Sequence, residues 1–295
     1  MRLLVTADLH YDAARSRRPA EELARKVLDT GGDVLVLVGD TASADPDPLR
    51  EALGLFADFP GRKLFVAGNH CLWCRAGEDS IERYEKTVPA VAAEMGFAML
   101  DHAAEKVGPF GLVGSIGWYD FSYRQDDLEI PLAFYRAKVA PGAADRLAEF
   151  KELVEDHREE LNEAHFNLTA RWMDGVHVRM DMTDEEFLEY VLARLRAQLA
   201  AVQADAEVRR VLAFVHHLPF RQLVPLDRPD AFAFAAAYMG SDRIGEVLLG
   251  CPKLTHVFCG HSHWRGRVRV GKVEVVNVGS TYSEKHLEVL DLEEP

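Results

Sequence analysis

Three short, nearly unbroken apolar runs stand near the start of the chain: Leu3 to Thr6, Val34 to Val38 and Lys63 to Ala67. Runs this short, rich in Val and Leu and without a polar face, predict strands buried on both sides. Between them the period changes. Pro19 to Asp29 puts Leu23, Val27 and Leu28 on one face of a helix, and Asp47 to Phe59 does the same with Leu49, Leu53 and Phe56. This alternation predicts a parallel, helix-covered sheet with a site at the carboxyl ends of its strands. From Trp118 to Ala206 the strand rhythm stops and the chain becomes charged and helical. We read residues 118–206 as a mainly helical insertion, a lid or cap, within a single domain of residues 1–295. Thr183-Asp184-Glu185-Glu186 is a capping box, followed at helical spacing by Leu188, Val191, Leu195, Leu199 and Val202. A second helix is predicted through Leu147, Phe150, Val154 and Leu161. Strands return at Val211 to Val215, Thr255 to Cys259, Arg265 to Val270, Val273 to Asn277 and Leu287 to Leu290, with a hairpin turn at Gly271. The carboxyl third is expected to be more antiparallel than the amino third, the whole forming two sheets face to face with helices outside.

Composition changes this picture only at the margins. Hydrophobic residues at 48% and charged residues at 28% suit an ordinary globular protein long enough to bury a large core. A formal charge of -14 repels polyanions, which argues against an extended nucleic-acid groove. A small phosphorylated substrate needs only local positive charge, which bound metal would supply. Met1 to Val5 reads straight into a strand, without the basic start and long apolar core of a secretion signal, so a cytoplasmic location is expected. The least polar run, 231–240, is too short to span a bilayer, and no membrane role is expected. Four cysteines, Cys71, Cys74, Cys251 and Cys259, are too few for a disulfide scaffold and read as reduced thiols. Nothing in the pattern fixes the oligomeric state.

The chemistry collects at the strand ends. The first strand releases Asp8-Leu9-His10, the second Gly39-Asp40, the third Gly68-Asn69-His70, and the later ones His216-His217 and Gly260-His261-Ser262-His263. Each fragment alone is a common turn or cap. Five in succession, each after a predicted strand, aim oxygen and nitrogen donors at one sheet edge. In Asp8-Leu9-His10 and His261-Ser262-His263 the donors sit two apart, so in extended backbone each pair would point one way and chelate. Mixed carboxylate, amide and imidazole donors suit manganese, iron, cobalt, nickel or zinc better than a magnesium or calcium cage. The glycines before Asp40, Asn69 and His261 permit close approach of backbone to ligand.

This ordered set, D-x-H, G-D, G-N-H, H and G-H-x-H, resembles the calcineurin-like metallophosphoesterase superfamily, from Asp8 to His263. The resemblance implies an α/β fold, a four-layer α/β/β/α sandwich of two mixed sheets flanked by helices. It implies two divalent transition-metal ions, manganese first. Asp8, His10 and His263 would hold one, Asn69, His216 and His261 the other, and Asp40 would bridge them. It further implies hydrolysis of a small phosphodiester or phosphomonoester by a water or hydroxide bridging the metals. His70, beside the ions, would protonate the leaving oxygen or stabilise the transition state. The chain departs from the family pattern in carrying Cys71 where Asp or Glu is common after that histidine. A nuclease or phosphoprotein phosphatase of the same superfamily is the alternative enzyme, and a non-catalytic metal-binding scaffold the alternative of another class. Four further features stay open. His217 either contacts substrate or merely neighbours His216. The aromatic run Trp118 to Tyr123 either anchors the insertion or walls a leaving-group site. Trp73 and Arg75 are weaker wall candidates, Arg75 as a phosphate contact. Asn277 to Ser280 closes a turn near the site or touches substrate.

Overall fold

The structure, a computed structural model, describes residues 1–43, 45–226 and 230–293. It contains two sheets. The first joins β1 (Arg2–Thr6), β2 (Val34–Val38), β3 (Arg62–Val66), β4 (Phe97–Met99) and β11 (Glu288–Asp291), in the order β11-β1-β2-β3-β4. β1 to β4 are parallel and β11 runs antiparallel to β1. The second holds β5 (Glu105–Val107), β6 (Phe110–Ser115), β7 (Arg210–Val215), β8 (Leu254–Cys259), β9 (Gly266–Val270) and β10 (Val273–Asn277), in the order β5-β6-β7-β8-β10-β9. Its four central strands are parallel and only the two edges antiparallel.

Strand alternation explains the layers. Successive side chains point to opposite faces, so each strand presents two apolar stripes. Leu3, Val5, Val34, Val36, Val38, Leu64 and Val66 of the first sheet pack with Phe110, Leu112, Leu212, Phe214, Phe258 and Val276 of the second. The intervening residues face helices. Leu4, Leu35, Leu37 and Phe65 join Leu23, Ala24 and Val27 of α1 (Ala14–Thr30) and Leu49 and Leu53 of α2 (Pro46–Gly54) in one outer cluster. On the other side α3 (Asp184–Ala204) lies against β6, and α4 (Asp242–Leu249) packs on α3. The result is the four-layer α/β/β/α sandwich of two mixed sheets.

One expectation holds: the carboxyl third is more antiparallel than the amino third, since β9 and β11 reverse while β1 to β4 are all parallel, although β7, β8 and β10 also run parallel. Several other local expectations need correction. β4, β5 and β6 were not foreseen. β6 carries two glycines, which weaken a strand pattern, yet both are required by close packing. A Cβ on Gly111 would lie 3.0 Å from Val202 Cβ, and one on Gly114 would overlap Leu100. α1 begins five residues before Pro19 rather than at it. The helix expected through Leu147 to Leu161 is broken. It divides into a 3-10 turn at Ala148–Phe150, a helix at Lys151–Asp156 and another 3-10 turn at Arg158–Glu160, the helix stopping where His157 takes φ -110° and ψ 13°. Between β6 and β7 the described residues form no named strand, and α3 starts on its capping box, Thr183 accepting from Glu186 N. Among the described residues no helix is long and apolar enough to cross a membrane.

Candidate metal centre

β1, β2 and β3 of one sheet and β7 and β8 of the other end at the same edge of the sandwich, and the loops that follow bring all eight candidate residues together. They do not do so by extended chelation. Asp8, His10, Asp40, His261 and His263 have positive φ, at 57°, 44°, 48°, 69° and 56°. The expectation of extended Asp-x-His and His-x-His pairs is therefore corrected: the strands stop at Thr6 and Cys259, and the donors lie on left-handed turns. Asp and His are among the few side chains that tolerate this region, at a cost of roughly 1–3 kcal/mol each where the surroundings enforce it. Here neighbouring loops do so. Asp8 N donates to Gly39 O at 3.0 Å, His10 N to Asp40 O at 2.8 Å, and His261 N to Asp8 Oδ1 at 3.0 Å. Glycine is needed for the approach. A Cβ on Gly39 (φ +81°) would overlap the His216 ring, one on Gly68 would lie 2.8 Å from Asp40 Cγ, and one on Gly260 2.6 Å from Asp8 Oδ2.

Three groups of donor atoms form, each within 4.8 Å: Asp8, His10 and His263; His10, Asp40 and His70; Asp40, His216 and His261. Asp40 is common to two of them. Its Oδ2 lies 3.4 Å from His216 Nε2, 3.7 Å from His10 Nε2 and 3.8 Å from His70 Nε2, while its Oδ1 accepts from His70 N at 3.0 Å. His10 Nε2 and His263 Nε2 face each other at 3.0 Å, with Asp8 Oδ1 3.8 Å from the latter.

The donor chemistry fits a cation. His261 Nε2 donates to Tyr238 O at 3.1 Å, so its Nδ1 carries a lone pair, aimed at His216 Nε2 at 3.2 Å. Asn69 turns its amide nitrogen to Asp174 at 2.8 Å and its oxygen to His216 Nε2 at 3.2 Å. His216 Nδ1 donates to Val38 O at 3.1 Å, fixing the ring. Backbone carbonyls thus set both imidazoles as they do around metals, leaving three inward atoms that need a proton or an ion between them. Asp8 repeats the message, since its buried Oδ2 has no hydrogen-bond partner.

The titration behaviour is consistent with this. Burial opposes the charge on His216, but Asp40 and Asp8 raise its pKa to about 9. Burial also works against Asp40, yet His70 and His216 hold its carboxyl well below the usual range. Burial pushes Asp8 up to about 7, with Asp40 adding to the rise. His10 and His261 are driven well below the ordinary imidazole value by burial, and His263 to about 4, so these three are neutral donors at physiological pH.

Against the centre lies a cavity of about 320 Å³, lined by Asp40, Asn69, His70, His261 and His263 together with the aromatic and apolar Trp73, Trp172, Met173, Phe232, Met239 and Tyr282 and the polar Arg171, Asp174 and Ser262. His70 rests on the Trp73 ring with centroids 3.6 Å apart, and Trp73 on His177 at 4.6 Å. The Cys71 departure is thus matched by an aromatic support beneath His70. Cys71 itself is buried, accepts from Gly68 N, and is pushed up to about 12 by burial. Tyr282 stacks on His10 at 4.6 Å, with Arg15 over its ring.

The open features resolve differently. Trp118, Tyr119, Phe121 and Tyr123 are fully buried and anchor the segment that follows. Trp73 lines the cavity, whereas Arg75 pairs with Asp45 at 2.6 Å. His217 is buried behind His261, ring centroids 4.2 Å apart, and donates to Ile116 O. Asn277 is buried and donates to Ser262 Oγ at 2.7 Å, bracing the last histidine loop. Trp172, Asp174 and Tyr282 were missed. Only Tyr282 had a nearby signal, two residues beyond the Asn277 to Ser280 turn.

The family model described as Calcineurin-like phosphoesterase matches residues 1–265. The chain belongs to the calcineurin-like phosphoesterase family. It is, accordingly, a metal-dependent phosphoester hydrolase of a family that uses divalent ions. No curated protein matches it. Three solved structures share the fold of this family member. A phosphopantetheinyl hydrolase from Mycobacterium tuberculosis is 20% identical, with a TM-score of 0.67 over 95% of this chain and 89% of that one. The protein TT1561 of Thermus thermophilus is 14% identical, with a TM-score of 0.54 over 98% of each chain. A dimetal phosphatase from Danio rerio is 15% identical, with a TM-score of 0.50 over 95% of this chain and 87% of the other.

Proposed function

We propose that this family member hydrolyses a small phosphate ester, a diester before a monoester, at a centre of two divalent transition-metal ions. In this reading Asp8, His10 and His263 hold one ion, Asn69, His216 and His261 the other, and Asp40 is shared. The observation that carries it is the meeting of His216 Nε2, His261 Nδ1 and Asn69 Oδ1, whose hydrogens are committed elsewhere or must leave. Manganese is the first candidate, with iron, zinc, cobalt and nickel behind it. Ions held there would supply an activated water, hold phosphoryl oxygens and neutralise developing charge. Asp40, kept ionised, joins the two halves of the site. His70 stands at the cavity edge on Trp73 and would hold a proton at Nε2 for the leaving oxygen.

The aromatic and methionine side chains of the cavity favour an apolar or extended leaving group. Trp73, Trp172, Met173, Phe232 and Met239 line it beside Arg171, and Arg171, Trp172 and Met173 come from the 118–206 segment, which we propose selects the substrate. Three features weigh against the other readings. The charge of -14 and the small cavity disfavour a nuclease or a phosphoprotein phosphatase, and a scaffold without catalysis has no need of seven converging donors.

The test is a metal-by-substrate hydrolysis panel of chromogenic mono- and diesters, cyclic nucleotides, dinucleotides, phosphopeptides and, given the first fold neighbour, a pantetheine phosphodiester. Diesters with an apolar leaving group should lead, and Trp172→Ala should erase that lead while sparing a minimal chromogenic ester. Absence of turnover with every ion would defeat the reading.

A further inference from the structure

We infer that Asp174 is a positioning residue that decides which atom of Asn69 faces the ions. The inference rests on the proposal that Asn69 is an ion ligand, and goes beyond it by assigning the group that makes it one. An amide carries an oxygen, which can ligate a cation, and a nitrogen, which cannot, and a half-turn about the last side-chain bond exchanges them at almost no steric cost. Something must hold Asn69 the right way round. Asp174 sits at the start of the short helix Asp174–His177, over a hundred residues further along the chain, and is 1% exposed. Its Oδ1 accepts from Asn69 Nδ2 at 2.8 Å and Trp73 Nε1 at 2.7 Å, and its Oδ2 accepts from Trp172 Nε1 at 2.8 Å and Tyr119 OH at 3.0 Å. Four neutral donors thus converge on one buried carboxylate.

The arrangement makes the choice unambiguous. An ionised carboxylate only accepts, so Asn69 must offer it Nδ2 and leave Oδ1 for His216 and the ions. Each carboxylate oxygen also meets one indole N–H, which only donates, so neither oxygen can be replaced by a donor without conflict. The two indoles so held, Trp73 and Trp172, are walls of the cavity. One side chain of the 118–206 segment therefore aligns an ion ligand and the leaving-group wall together.

Asp174→Asn brings an NH2 group to one of the two oxygen positions, where it opposes an indole N–H on either side. Which side it takes can be steered. In Asp174→Asn with Trp172→Phe the NH2 has room at the Oδ2 position, where the Tyr119 hydroxyl can rotate to accept from it. The remaining oxygen still accepts from Asn69, so the ion ligand survives. In Asp174→Asn with Trp73→Phe the NH2 is favoured at the Oδ1 position, where it donates to Asn69 Oδ1 and turns the amide nitrogen toward the ions. The two double variants lose one indole N–H each, yet only the one that turns the Asn69 amide should lose the ion ligand.

The readout is calorimetric titration of Mn²⁺ into chelator-stripped protein, with ion content by elemental analysis. The Trp73→Phe double variant should lose about 10- to 100-fold in affinity for one of two ions, the range for removing a group that orients a metal ligand. The Trp172→Phe double variant should stay within about threefold of the wild type, as should Trp73→Phe and Trp172→Phe alone. Equal affinities in the two double variants, whether both high or both low, would overturn the inference. So would a Trp73→Phe double variant that does not fold beside a folded Trp172→Phe double variant with weakened ion binding. Wild-type protein that takes up no ion would instead remove the dimetal reading itself.

Discussion

Replacing Gly39 by Ala should damage the centre without substituting a single donor. Gly39 has φ +81°, and a Cβ there would overlap the His216 ring and come to 2.8 Å from His216 Cβ, where ordinary contact begins at 3.4 Å. Two costs add. An alanine at positive φ costs about 1–2 kcal/mol. Forcing a methyl into a packed site that must give way by more than half an ångström costs about 1–3 kcal/mol more. Gly271, in the β9–β10 hairpin, separates the two, because it has φ +59° and nothing within 4 Å of its added Cβ. Gly271→Ala should therefore show the first cost alone. By thermal unfolding, Gly39→Ala should melt roughly 2–12 °C below Gly271→Ala, at about 2–4 °C per kcal/mol for a chain of this size. Its kcat/KM should fall by ~10² or more, since a ligand displaced by about an ångström spoils the alignment of the ions. Equal melting temperatures and equal ion content in the two variants would refute the claim that the backbone at Gly39 is pressed against His216.

Two further outcomes follow from the same site. His70→Gln should keep its ion content and lose ~10² or more in kcat, as expected for a proton donor or charge-stabilising group that is not a ligand; an unchanged kcat would remove His70 from the chemistry. Ion binding should release about one proton at pH 8, read by calorimetry in two buffers of different ionisation enthalpy. At that pH Asp8, at about 7, is mostly ionised, while His216, raised to about 9, still carries the proton an ion must displace. Apparent affinity should weaken up to about tenfold per unit as pH falls from 9 to 8, and binding without proton release would contradict the His216 assignment.

How much of this could be read along the chain depended on how local the cause was. β1, β2 and β3 were legible because strands buried on both faces are written as plain Val and Leu runs, and the donors because each follows such a run directly. β6 was hidden by Gly111 and Gly114, whose need arises only when Val202 and Leu100 arrive from distant segments. The left-handed turns at Asp8, His10, His261 and His263 were equally hidden. A two-residue spacing reads as extended chain, and what bends it is pairing between the β1 and β2 loops and between His261 and Asp8. Aromatic content misled in one place and was silent in another. Trp118 to Tyr123 drew notice by density and is core, whereas Trp172 and Asp174 reach the site from a stretch with no periodic signal.

The central claim is that seven side chains hold two ions around Asp40. Elemental analysis of chelator-stripped protein reconstituted with manganese, wild type beside Asp40→Asn, tests it most directly. The account predicts close to two ions per chain in the wild type and weakened occupancy of both positions in Asp40→Asn, because that carboxylate is shared. One ion or none in the wild type, or an Asp40→Asn protein that keeps both, would contradict it.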